Sequence, residues 1–469
     1  MEGRALTKRN TMKGTTVRAQ DRVAVSFGLD GVRRRAEVDR SCRFTALLHH
    51  ITATKLRESY YQLEKDAAAG VDEETWREYY TGHWDRIENL RERIHKGSYR
   101  AQPSRRAYID KEDGSKRPLG IAALEDKIVQ QAVREVLNRI YEADFLDFSY
   151  GFRENRGQHD ALDALYVGIT ERKINWILDA DIKGFFDNLD HDWLLKFLEI
   201  RIGDKRVLRL IKKWLKTGYL EDGKRKRQEV GTPQGAVISP LLANIFLHYV
   251  LDKWASWWRH TQTKGDMIIV RYADDFVIGF QCYDEAVKFK DELGRRLTKY
   301  GLALHPEKTR LIEFGRFAAS NRKKRGERKP ETFDFLGFTH ICSKTKAGYF
   351  FVCRKTIKKR FKRKCNEVTE GLRKRMHLKI RQTGEWLALV INGYMNYYGV
   401  PGNMDRIRDF QQRCEREWYR IARRRSQKAR KLKWKEFRKK IKGLIPRPHL
   451  THPFPGERFW RQRLEVRAV

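Results

Sequence analysis

The sequence is poor in cysteine, and its cysteines are not grouped. Six occur among 469 residues, all placed singly, and no C-x-x-C pair is present. A zinc knuckle and a cysteine-based nuclease site are therefore not indicated, and the pattern is typical of reduced intracellular thiols. Long apolar runs are also lacking: none approaches the ~20 residues of a membrane span, and the N-terminus has no apolar signal segment. We expect a cytoplasmic protein with no membrane partner.

Acidic residues are scarce relative to basic ones. The chain has 61 Asp and Glu against 100 Lys and Arg, which gives a net charge of +39 and a pI near 10. An excess of this size favours a polyanionic partner, above all a nucleic acid. The alternative is a basic protein whose surface is simply solvated. Hydrophobic residues make up 40% of the chain, enough for sizeable cores in about three domains.

The order of the predicted elements indicates an α+β fold. Residues 1–40 are polar, basic and aperiodic, and we predict a flexible arm there. A hairpin is predicted around the Asp-Gly dipeptide at 113–114, followed by a long helix over 124–141. Strands and helices then alternate irregularly, which is typical of an α+β domain rather than of a βαβ repeat. We place domain boundaries near 110 and near 350.

Beyond about residue 354, apolar residues recur every three or four positions, with Lys and Arg on the other faces. Further helices are expected after this segment, and the last residues are basic and rich in proline. The C-terminal part is therefore expected to be α-helical. The periodicity predicts one long helix whose buried stripe comprises Ile357, Phe361, Cys365, Val368, Leu372, Met376 and Ile380.

Two adjacent aspartates interrupt the apolar segment 266–281, which reads DMIIVRYADDFVIGFQ. Asp274 and Asp275 lie between two apolar runs, and Arg271 is the one basic residue between those runs. The pattern predicts a strand–turn–strand hairpin with the acids at its tip. Neighbouring carboxylates repel each other. Either the pair lies harmlessly at an exposed turn, or something strongly positive binds there.

A third aspartate follows another apolar run. Asp181 lies in ILDADIKGFFDNLDH, 93 positions before Asp274. Three carboxylates brought together from two strands would bind two Mg²⁺ ions, which prefer oxygen ligands and also accept substrate phosphates. Two such ions can activate a 3′-hydroxyl and stabilise the pyrophosphate that leaves in an in-line displacement. The alternative is that these acids are unrelated loop residues.

Three further features favour a nucleotide site. The GTPQG turn contains Gly235, which permits close approach of backbone to a ligand, and Gln234, which can hydrogen-bond a sugar or base. Lys111 and Arg117 flank the predicted Asp-Gly turn, where both could reach a triphosphate. Lys308, in HPEKT, could supply a positive charge or a proton to the leaving group. Taken singly, each has an ordinary alternative: a well-formed helix start, a solvated hairpin and a surface lysine.

Together these segments resemble the reverse transcriptases of the group II intron maturase family. YADD at 272–275 is similar to that family's metal-binding hairpin, DADIKGFFDNLDH at 179–191 to its first metal-binding strand, and GTPQGAVISPLLANIFLH at 231–248 to its nucleotide-side turn and helix. The segments RPLGIAALEDKIVQQA, FSYGFRENRGQHDAL, LALHPEKT and FDFLGF fall in the family's order. GYMNYYG and RRRSQKARKLKWKEF resemble its thumb and maturase region. The resemblance covers residues 44–459.

The resemblance implies a right-hand polymerase, with fingers and an antiparallel palm sheet, followed by an α-helical thumb and maturase domain. It implies that Asp181, Asp274 and Asp275 hold two Mg²⁺ ions, assisted by the backbone carbonyl of Ile182, with Mn²⁺ able to substitute. Asp179 falls outside this ligand set, as does Asp187. The expected domains are a basic arm at 1–40, an N-terminal extension and the start of the fingers at 41–110, reverse transcriptase fingers and palm at 111–350, the helical thumb and maturase domain at 351–422, and a basic nucleic-acid-binding tail at 423–469.

The resemblance also assigns residues around the substrate. Phe186 falls where the family has an aromatic ring under the sugar, which would exclude a 2′-hydroxyl, although core packing is an alternative. The incoming nucleotide would be lined by Lys111, Arg117, Ile182, Phe186, Gln234 and Lys308. Arg153 and Arg156 would contact the template backbone. Many members continue into a Cys- and His-containing DNA endonuclease domain, which this sequence does not show up to Val469.

A basic run near the C-terminus is expected to bind structured RNA. Residues 423–442 contain twelve Lys and Arg and one acid, Glu436, and such a run would repel itself without a polyanion. Trp418, Tyr419, Trp434 and Phe437 could stack on bases, but packing is expected for at least half of them. The residues assigned to nucleic-acid binding here are Arg423, Arg424, Arg425, Lys428, Arg430, Lys431 and Lys433.

These features lead to one main hypothesis and two alternatives. The main hypothesis is an RNA-directed DNA polymerase of a group II intron that also binds its intron RNA as a splicing maturase and supports retrohoming. Its partners would be intron RNA, an RNA template with a DNA primer, and target DNA; the oligomeric state is open. One alternative is an RNA-binding splicing factor with an inactive polymerase, against which the intact acids argue. The other is a free-standing reverse transcriptase in host defence or diversification.

Overall fold

The computed structural model describes residues 28–110, 114, 116–226, 230–232 and 235–467. Its helices, numbered in chain order, are α1 (28–38), α2 (Ala53–Gln62), α3 (Trp76–Tyr80), α4 (His83–Lys96), α5 (Leu124–Asp144), α6 (Gln158–Glu171), α7 (His191–Arg201), α8 (Lys205–Lys216), α9 (Ser239–Leu247), α10 (Lys253–Thr261), α11 (Tyr283–Lys299), α12 (Ala318–Lys324), α13 (Lys358–Lys374), α14 (Ile380–Tyr398), α15 (Met404–Arg423), α16 (Gln427–Arg430), α17 (Trp434–Ile441) and α18 (Pro455–Arg467).

Short 3₁₀ turns occur at Leu48–His50 and Phe185–Asp187, and a π-helical turn at His248–Asp252 connects α9 to α10. The strands are β1 (Ser104–Asp110), β2 (Lys116–Ile121), β3 (Trp176–Asp181), β4 (Tyr219–Glu221), β5 (Lys224–Lys226), β6 (Met267–Tyr272), β7 (Asp275–Phe280), β8 (Arg310–Glu313), β9 (Phe333–Phe335), β10 (Phe338–Lys344) and β11 (Phe350–Thr356).

The chain forms two compact units, and each is built from several separate stretches of sequence. The first unit comprises Met1–Asn155, Ile182–Thr261 and Glu292–His305, and the second comprises Arg156–Asp181, Gln262–Asp291 and Pro306–Val469. The domain boundaries expected near residues 110 and 350 describe a linear division of the chain and stay a prediction.

In the first unit, a four-stranded sheet has the order β2-β1-β4-β5. β1 runs antiparallel to β2, from Arg105 opposite Ile121 to Asp110 opposite Lys116, and parallel to β4. The two strands of the predicted hairpin are therefore confirmed, while most of its turn lies outside the described residues. The helix predicted over 124–141 is also confirmed and continues to Asp144 as α5, whose apolar residues are buried.

The first unit also contains a helix that the sequence analysis did not predict. The flexible arm expected for residues 1–40 is wrong for residues 28–38, which form α1. Leu29, Val32 and Ala36 are buried there, at spacings of three and four that place them on one helical face. These three buried apolar side chains anchor the helix, although most of its other positions are charged residues or glycine. Residues 1–27 lie outside the described part of the chain.

The second unit contains the central sheet, which has the strand order β6-β7-β3-β8 with all neighbours antiparallel. The predicted hairpin over 266–281 is confirmed as β6 and β7, and the predicted strand that precedes Asp181 is β3. Helix α6 packs closely on this sheet: a Cβ at Gly168 would lie 2.7 Å from Ile268 Cδ1. A second, three-stranded antiparallel sheet has the order β11-β10-β9.

The C-terminal helices of the second unit share one apolar core. Helices α13, α14, α15 and α17 contribute buried side chains to it, among them Phe361, Leu372, Leu387 and Phe410. The predicted stripe holds as far as Leu372, but the prediction of one continuous helix to Ile380 is wrong, because α13 ends at Lys374 and α14 begins at Ile380. The guanidinium of Arg425 donates to the carbonyl oxygens of His377 (3.1 Å) and Leu378 (3.2 Å) in the connection, a tertiary contact that no local periodicity reveals.

All six cysteines are free, as expected for reduced thiols. Across the described ranges, no helix combines the length and apolar character needed to cross a membrane.

Candidate active site

The acids Asp181 and Asp275 face each other at one end of the central sheet. Asp181 is the last residue of β3 and Asp275 the first of β7, and the antiparallel register pairs them directly. Directly opposed residues in such a pair have Cβ atoms ~4.5–5.5 Å apart and point to the same face. Asp274 precedes Asp275 in the turn, and Asp179 lies two residues before Asp181 on the same face. The fold thus brings the three predicted ligands together from distant parts of the sequence.

The turn that carries Asp274 has an unusual backbone. β6 ends at Tyr272 and β7 starts at Asp275, so two residues connect the strands. The first, Ala273, has φ of +57°, a left-handed conformation that costs a non-glycine residue about 1 kcal/mol or more. The fully buried Arg271 donates from Nη1 to the Ala273 carbonyl at 2.9 Å. Arg271 therefore stabilises the conformation that presents Asp274 and Asp275.

Two cations lie against the acids of β3. Lys308 Nζ is 2.8 Å from Asp181 Oδ2, and the lysine side chain is 61% exposed. Arg310 Nη2 is 3.1 Å from Asp179 Oδ2 and also donates to the Thr332 carbonyl. Asp179 thus has a structural cation from the neighbouring strand β8, whereas the cation on Asp181 is a solvent-exposed lysine that could move to a phosphate.

The electrostatics of the sheet end favour an additional positive charge. Burial, reinforced by Asp179, Asp274 and Asp181, raises the pKa of Asp275 to about 8, and Arg360 offsets only part of this. Burial also raises the pKa of Asp179, against the lowering effect of Arg310. A carboxyl group whose pKa is raised in this way is under-compensated, and a bound cation would relieve the repulsion.

The residues fit a divalent metal in donor type and in placement. They offer carboxylate oxygens, the ligands that Mg²⁺ prefers, from facing positions on neighbouring strands. Within the described ranges, no three acidic, histidine or cysteine side chains already converge on one point as a preformed metal site. One oxygen of Asp181 contacts Lys308 instead. The metal ligation by Asp181, Asp274, Asp275 and the carbonyl of Ile182 therefore stays a prediction.

In the first unit, Gly231 and Thr232 of the GTPQG segment pack against the backbone around Phe186. The amide of Thr232 donates to the Phe186 carbonyl at 2.8 Å, and Gly231 has φ of +85°. A Cβ at Gly231 would lie 2.7–2.8 Å from the carbonyl oxygens of Asp187 and Phe186, so only glycine fits there. The Phe186 ring is half-buried and meets Phe185 edge-on. Part of this ring is therefore open to solvent, as a sugar contact requires.

Gly235 of the same segment lies beside β2. Gly235 has φ of +103°, and a Cβ there would lie 3.2 Å from the Gly120 carbonyl oxygen. Arg117, on the same strand, is exposed. The first unit therefore brings three predicted nucleotide-side segments together: β2, the GTPQG turn and the Phe185–Asp187 turn. Lys111 and Gln234 lie outside the described residues, and Ile182 is buried beside Leu304.

The prediction that Arg153 contacts template is wrong. Its side chain is 2% exposed and forms an ion pair with Glu142, 2.6 Å from Nη2 to Oε1. Its Nη1 donates to the carbonyls of Leu146 and Ser149 at 2.7 and 2.8 Å. Because the buried guanidinium is bonded to these partners, Arg153 supports the loop that follows α5. Arg156 is half-buried, and its contact with template stays a prediction.

The basic run has both bonded and free members. Arg423 donates to the Arg430 carbonyl at 3.0 and 3.1 Å, and Arg425 bonds the connection before α14. Both therefore have structural partners as well as charge. Trp418 and Phe437 are buried, and Tyr419 and Trp434 are half-buried, which confirms the expectation that at least half of these rings pack. The exposed cations of the run include Arg424, Lys428, Arg430, Lys431 and Lys433.

Sequence reasoning missed three arginines at the site. Arg271 was visible as the one cation between the two apolar runs, and its burial beneath the turn could have been suspected on that ground. Arg310 and Arg360 had no such signal, because their nearness to Asp179 and Asp275 depends on β8 and α13.

Comparisons with known proteins agree with the geometry. Residues 109–340 match the family described as "Reverse transcriptase (RNA-dependent DNA polymerase)". The chain is 44% identical over 170 residues to the group II intron-encoded protein LtrA of Lactococcus lactis, a match that covers 36% of this chain and 28% of that protein. It is 35% identical over 233 residues to the protein YkfC of Escherichia coli, covering 43% and 61% respectively.

A more distant match is the protein named nuclear intron maturase 1, mitochondrial, of Arabidopsis thaliana, with 26% identity over 111 residues, 24% of this chain and 15% of that protein. This chain thus spans less than two thirds of the length of each of these relatives. Residues 109–340 thus match the reverse transcriptase family, and the region from Lys358 onward is helical. The resemblance to group II intron-encoded proteins and intron maturases is confirmed.

Proposed function

We propose that this chain is an RNA-directed DNA polymerase of a group II intron, which copies RNA into DNA and supports retrohoming. The observation that carries the proposal is the direct pairing of Asp181 with Asp275 at the open end of an antiparallel sheet, next to Asp274. These acids lie inside the segment that matches the reverse transcriptase family.

The architecture is assigned in the same proposal. The central sheet β6-β7-β3-β8 is the palm, the strands β1 and β2 belong to the fingers, and the helices from α13 onward form the thumb and maturase domain.

The tight turn between β9 and β10, with φ of +46° at Leu336 and +84° at Gly337, is fixed by a hydrogen bond from the Tyr397 hydroxyl to the Leu336 carbonyl at 2.8 Å. This contact joins the end of the second sheet to α14.

The residues of the chain divide the work of nucleotide addition. Asp181, Asp274 and Asp275, with the carbonyl of Ile182, would hold two Mg²⁺ ions. When bound, such ions lower the pKa of an attacking hydroxyl and neutralise charge on a leaving pyrophosphate. Lys308 would exchange its contact with Asp181 for a phosphate oxygen of the incoming nucleotide. Phe186 would select a deoxyribose sugar.

The second part of the proposal is that the chain binds its intron RNA as a maturase. The net charge of +39 and the exposed cations of residues 423–442 support binding through phosphates. The chemistry of splicing would belong to the RNA, and the protein would contribute binding energy to the active RNA fold. Target DNA and an RNA template with a DNA primer are the remaining partners.

The test is Mg²⁺-dependent incorporation of deoxynucleotides on an RNA template with a DNA primer, with the wild type beside Asp274→Ala. RNA binding is measured on the same preparations. We expect incorporation by the wild type only, with equal RNA affinity in both. Incorporation that survives Asp274→Ala would contradict the metal assignment. RNA binding without incorporation by either protein would favour a splicing factor with an inactive polymerase.

A further inference from the structure

An apolar groove opens between the ends of the thumb helices. It is formed where the end of α13, the connection to α14, the end of α15, and α16 and α17 meet, and its volume is about 550 Å³. This lies within the ~300–1,000 Å³ typical of sites for small organic groups. Its apolar walls include Leu372, Ile380, Trp418, Ile421, Ala422 and Leu432. We call this the α15–α17 groove.

The rim of the groove is strongly basic. Five cations and a single acid, Glu436, line it. Two of the cations have structural roles: Arg425 bonds the connection before α14, and Arg375 lies 4.2 Å above the Trp386 ring. The three lysines form no ion pair with any acid in the described part of the chain. The lysines are Lys428, Lys431 and Lys440.

The apolar floor and the unpaired cations together indicate a ligand that has both an apolar group and negative charge. Leu378, which lines the groove, is 45% exposed. Covering this apolar surface with a flat hydrophobic group is favourable, because it removes the surface from water. The lysines require that the same ligand carry negative charge close to that group. A nucleotide in a single strand has both, because a base with two π-faces is joined directly to phosphates.

We propose that the α15–α17 groove takes an unpaired base of the intron RNA, with its flanking phosphates on Lys428 and Lys431. The inference rests on the RNA binding of the proposed function and adds a base-sized site to it. Glu436 accepts a hydrogen bond from its own helix start, the amide of Lys433, through Oε2 at 3.3 Å. Its other oxygen can accept from an exocyclic amino group of a base, which guanine, adenine and cytosine carry and uracil lacks.

The first experiment separates the base from the backbone. Full-length protein is titrated with a labelled single-stranded RNA of twelve nucleotides, and with the same RNA carrying abasic sites at its centre. The variant Ala429→Phe fills the groove without a change in charge, because Ala429 lines it and is half-buried. Its matched control is Ala319→Phe, at an exposed position on α12 that does not line the groove.

We expect Ala429→Phe to weaken binding of the intact RNA by on the order of 10-fold, as for loss of one stacked base, and to leave binding of the abasic RNA unchanged. Ala319→Phe should change neither. An equal loss for both RNAs, or no loss for either, would overturn the inference. A single-stranded DNA of the same sequence that binds as tightly and responds equally would overturn the assignment to RNA.

The second experiment tests the phosphate contacts and does not depend on how the helices tolerate a larger side chain. The double variant Lys428→Gln, Lys431→Gln is compared with Lys435→Gln, Lys439→Gln, two exposed lysines on α17 outside the groove. The first pair should weaken RNA binding by more than the second pair does, because only Lys428 and Lys431 are assigned the flanking phosphates. If both pairs behave alike, or if an acidic amphipathic peptide competes while RNA does not, the groove serves another ligand and the inference is wrong.

Failure of this inference is distinguishable from failure of the proposed function. Incorporation of deoxynucleotides is measured on the same variants and should persist in Ala429→Phe. A wild type that synthesises DNA but shows no preference for intact over abasic RNA refutes the groove alone. A wild type that prefers intact RNA but synthesises no DNA refutes the polymerase alone.

Discussion

The end of the central sheet and the C-terminal helices α13–α17 carry opposite charges, arranged in different ways. At the sheet end, the acids are concentrated on facing strands, and the pKa of Asp275 is raised to about 8 because burial and neighbouring acids penalise its charge. In the C-terminal helices, cations are spread over exposed helix faces and the rim of an apolar groove. The first arrangement suits a small, highly charged ion, and the second suits a long polyanion. The proposed chemistry thus depends on a few residues, and the proposed RNA binding on many.

The largest expected effect separates two acids of the same strand. Asp181→Asn should lower the rate of incorporation by on the order of a thousandfold, because it removes a proposed metal ligand. Asp179→Asn removes an acid whose partner is Arg310, and should lower the rate by less than about tenfold. Rates are measured by primer extension under saturating substrate. Equal losses in both variants would remove the distinction between ligand and structural acid.

The next effect concerns the exposed cation beside Asp181. Lys308→Met should raise the KM for deoxynucleotides about 10-fold, as expected for loss of a charged hydrogen bond to phosphate. Its thermal stability should match the wild type, since the side chain is 61% exposed. Steady-state kinetics with varied nucleotide concentration and a thermal melt provide the two readouts. An unchanged KM would show that Lys308 is an ordinary surface lysine with no role in nucleotide binding.

The third prediction compares the neighbouring rings of Phe186 and Phe185 in their effect on sugar selectivity. Phe186→Val should increase the use of ribonucleotides relative to deoxynucleotides by about 10- to 100-fold, because a half-buried ring would no longer block a 2′-hydroxyl. Phe185 is 2% exposed, so Phe185→Val should lower the melting temperature and leave selectivity unchanged. The ratio of kcat/KM values for the two nucleotides is the measurement. Unchanged selectivity in Phe186→Val would assign that ring to packing.

The smallest effect is a dependence of stability on pH. The pKa of Asp275 is about 8 in the folded protein against an ordinary value of 3.8, so the folded state binds more protons between these values and loses stability as the pH rises through them. In EDTA, Asp275→Asn should melt about 2–4 °C above the wild type near pH 8, with the difference shrinking towards pH 4. Mg²⁺ should stabilise the wild type alone. A difference that is independent of pH would show that burial of this charge is not the cause.

Much of the site could be predicted because its signals are local. The alternation of apolar residues and the short turn predicted the β6–β7 hairpin, and the apolar run before Asp181 predicted β3. Their pairing within one sheet is a long-range property, and the family resemblance was needed to bring Asp181 and Asp275 together.

Two of the failures share a physical cause, which is that a partner brought in by the fold cannot be recognised in the sequence. The apolar period continues through Met376 and Ile380, but α13 ends at Lys374 and the side chain of Arg425 bonds the exposed carbonyls beyond it. Arg153 was predicted to contact template, but its guanidinium donates hydrogen bonds to Glu142, eleven residues earlier in the chain. Neither Arg425 nor Glu142 is marked in the sequence as a partner of these segments.

The most direct test of the central claim is localised cleavage by Fe²⁺ bound in place of Mg²⁺, which generates hydroxyl radicals that cut nearby backbone. We expect cuts at the end of β3 near Asp181 and in the turn between Tyr272 and Asp275. Mg²⁺ should suppress these cuts, and Asp275→Asn should abolish them. Cuts confined to other segments, or cuts at these positions that persist in Asp275→Asn, would contradict the assignment of the facing acids as the metal site.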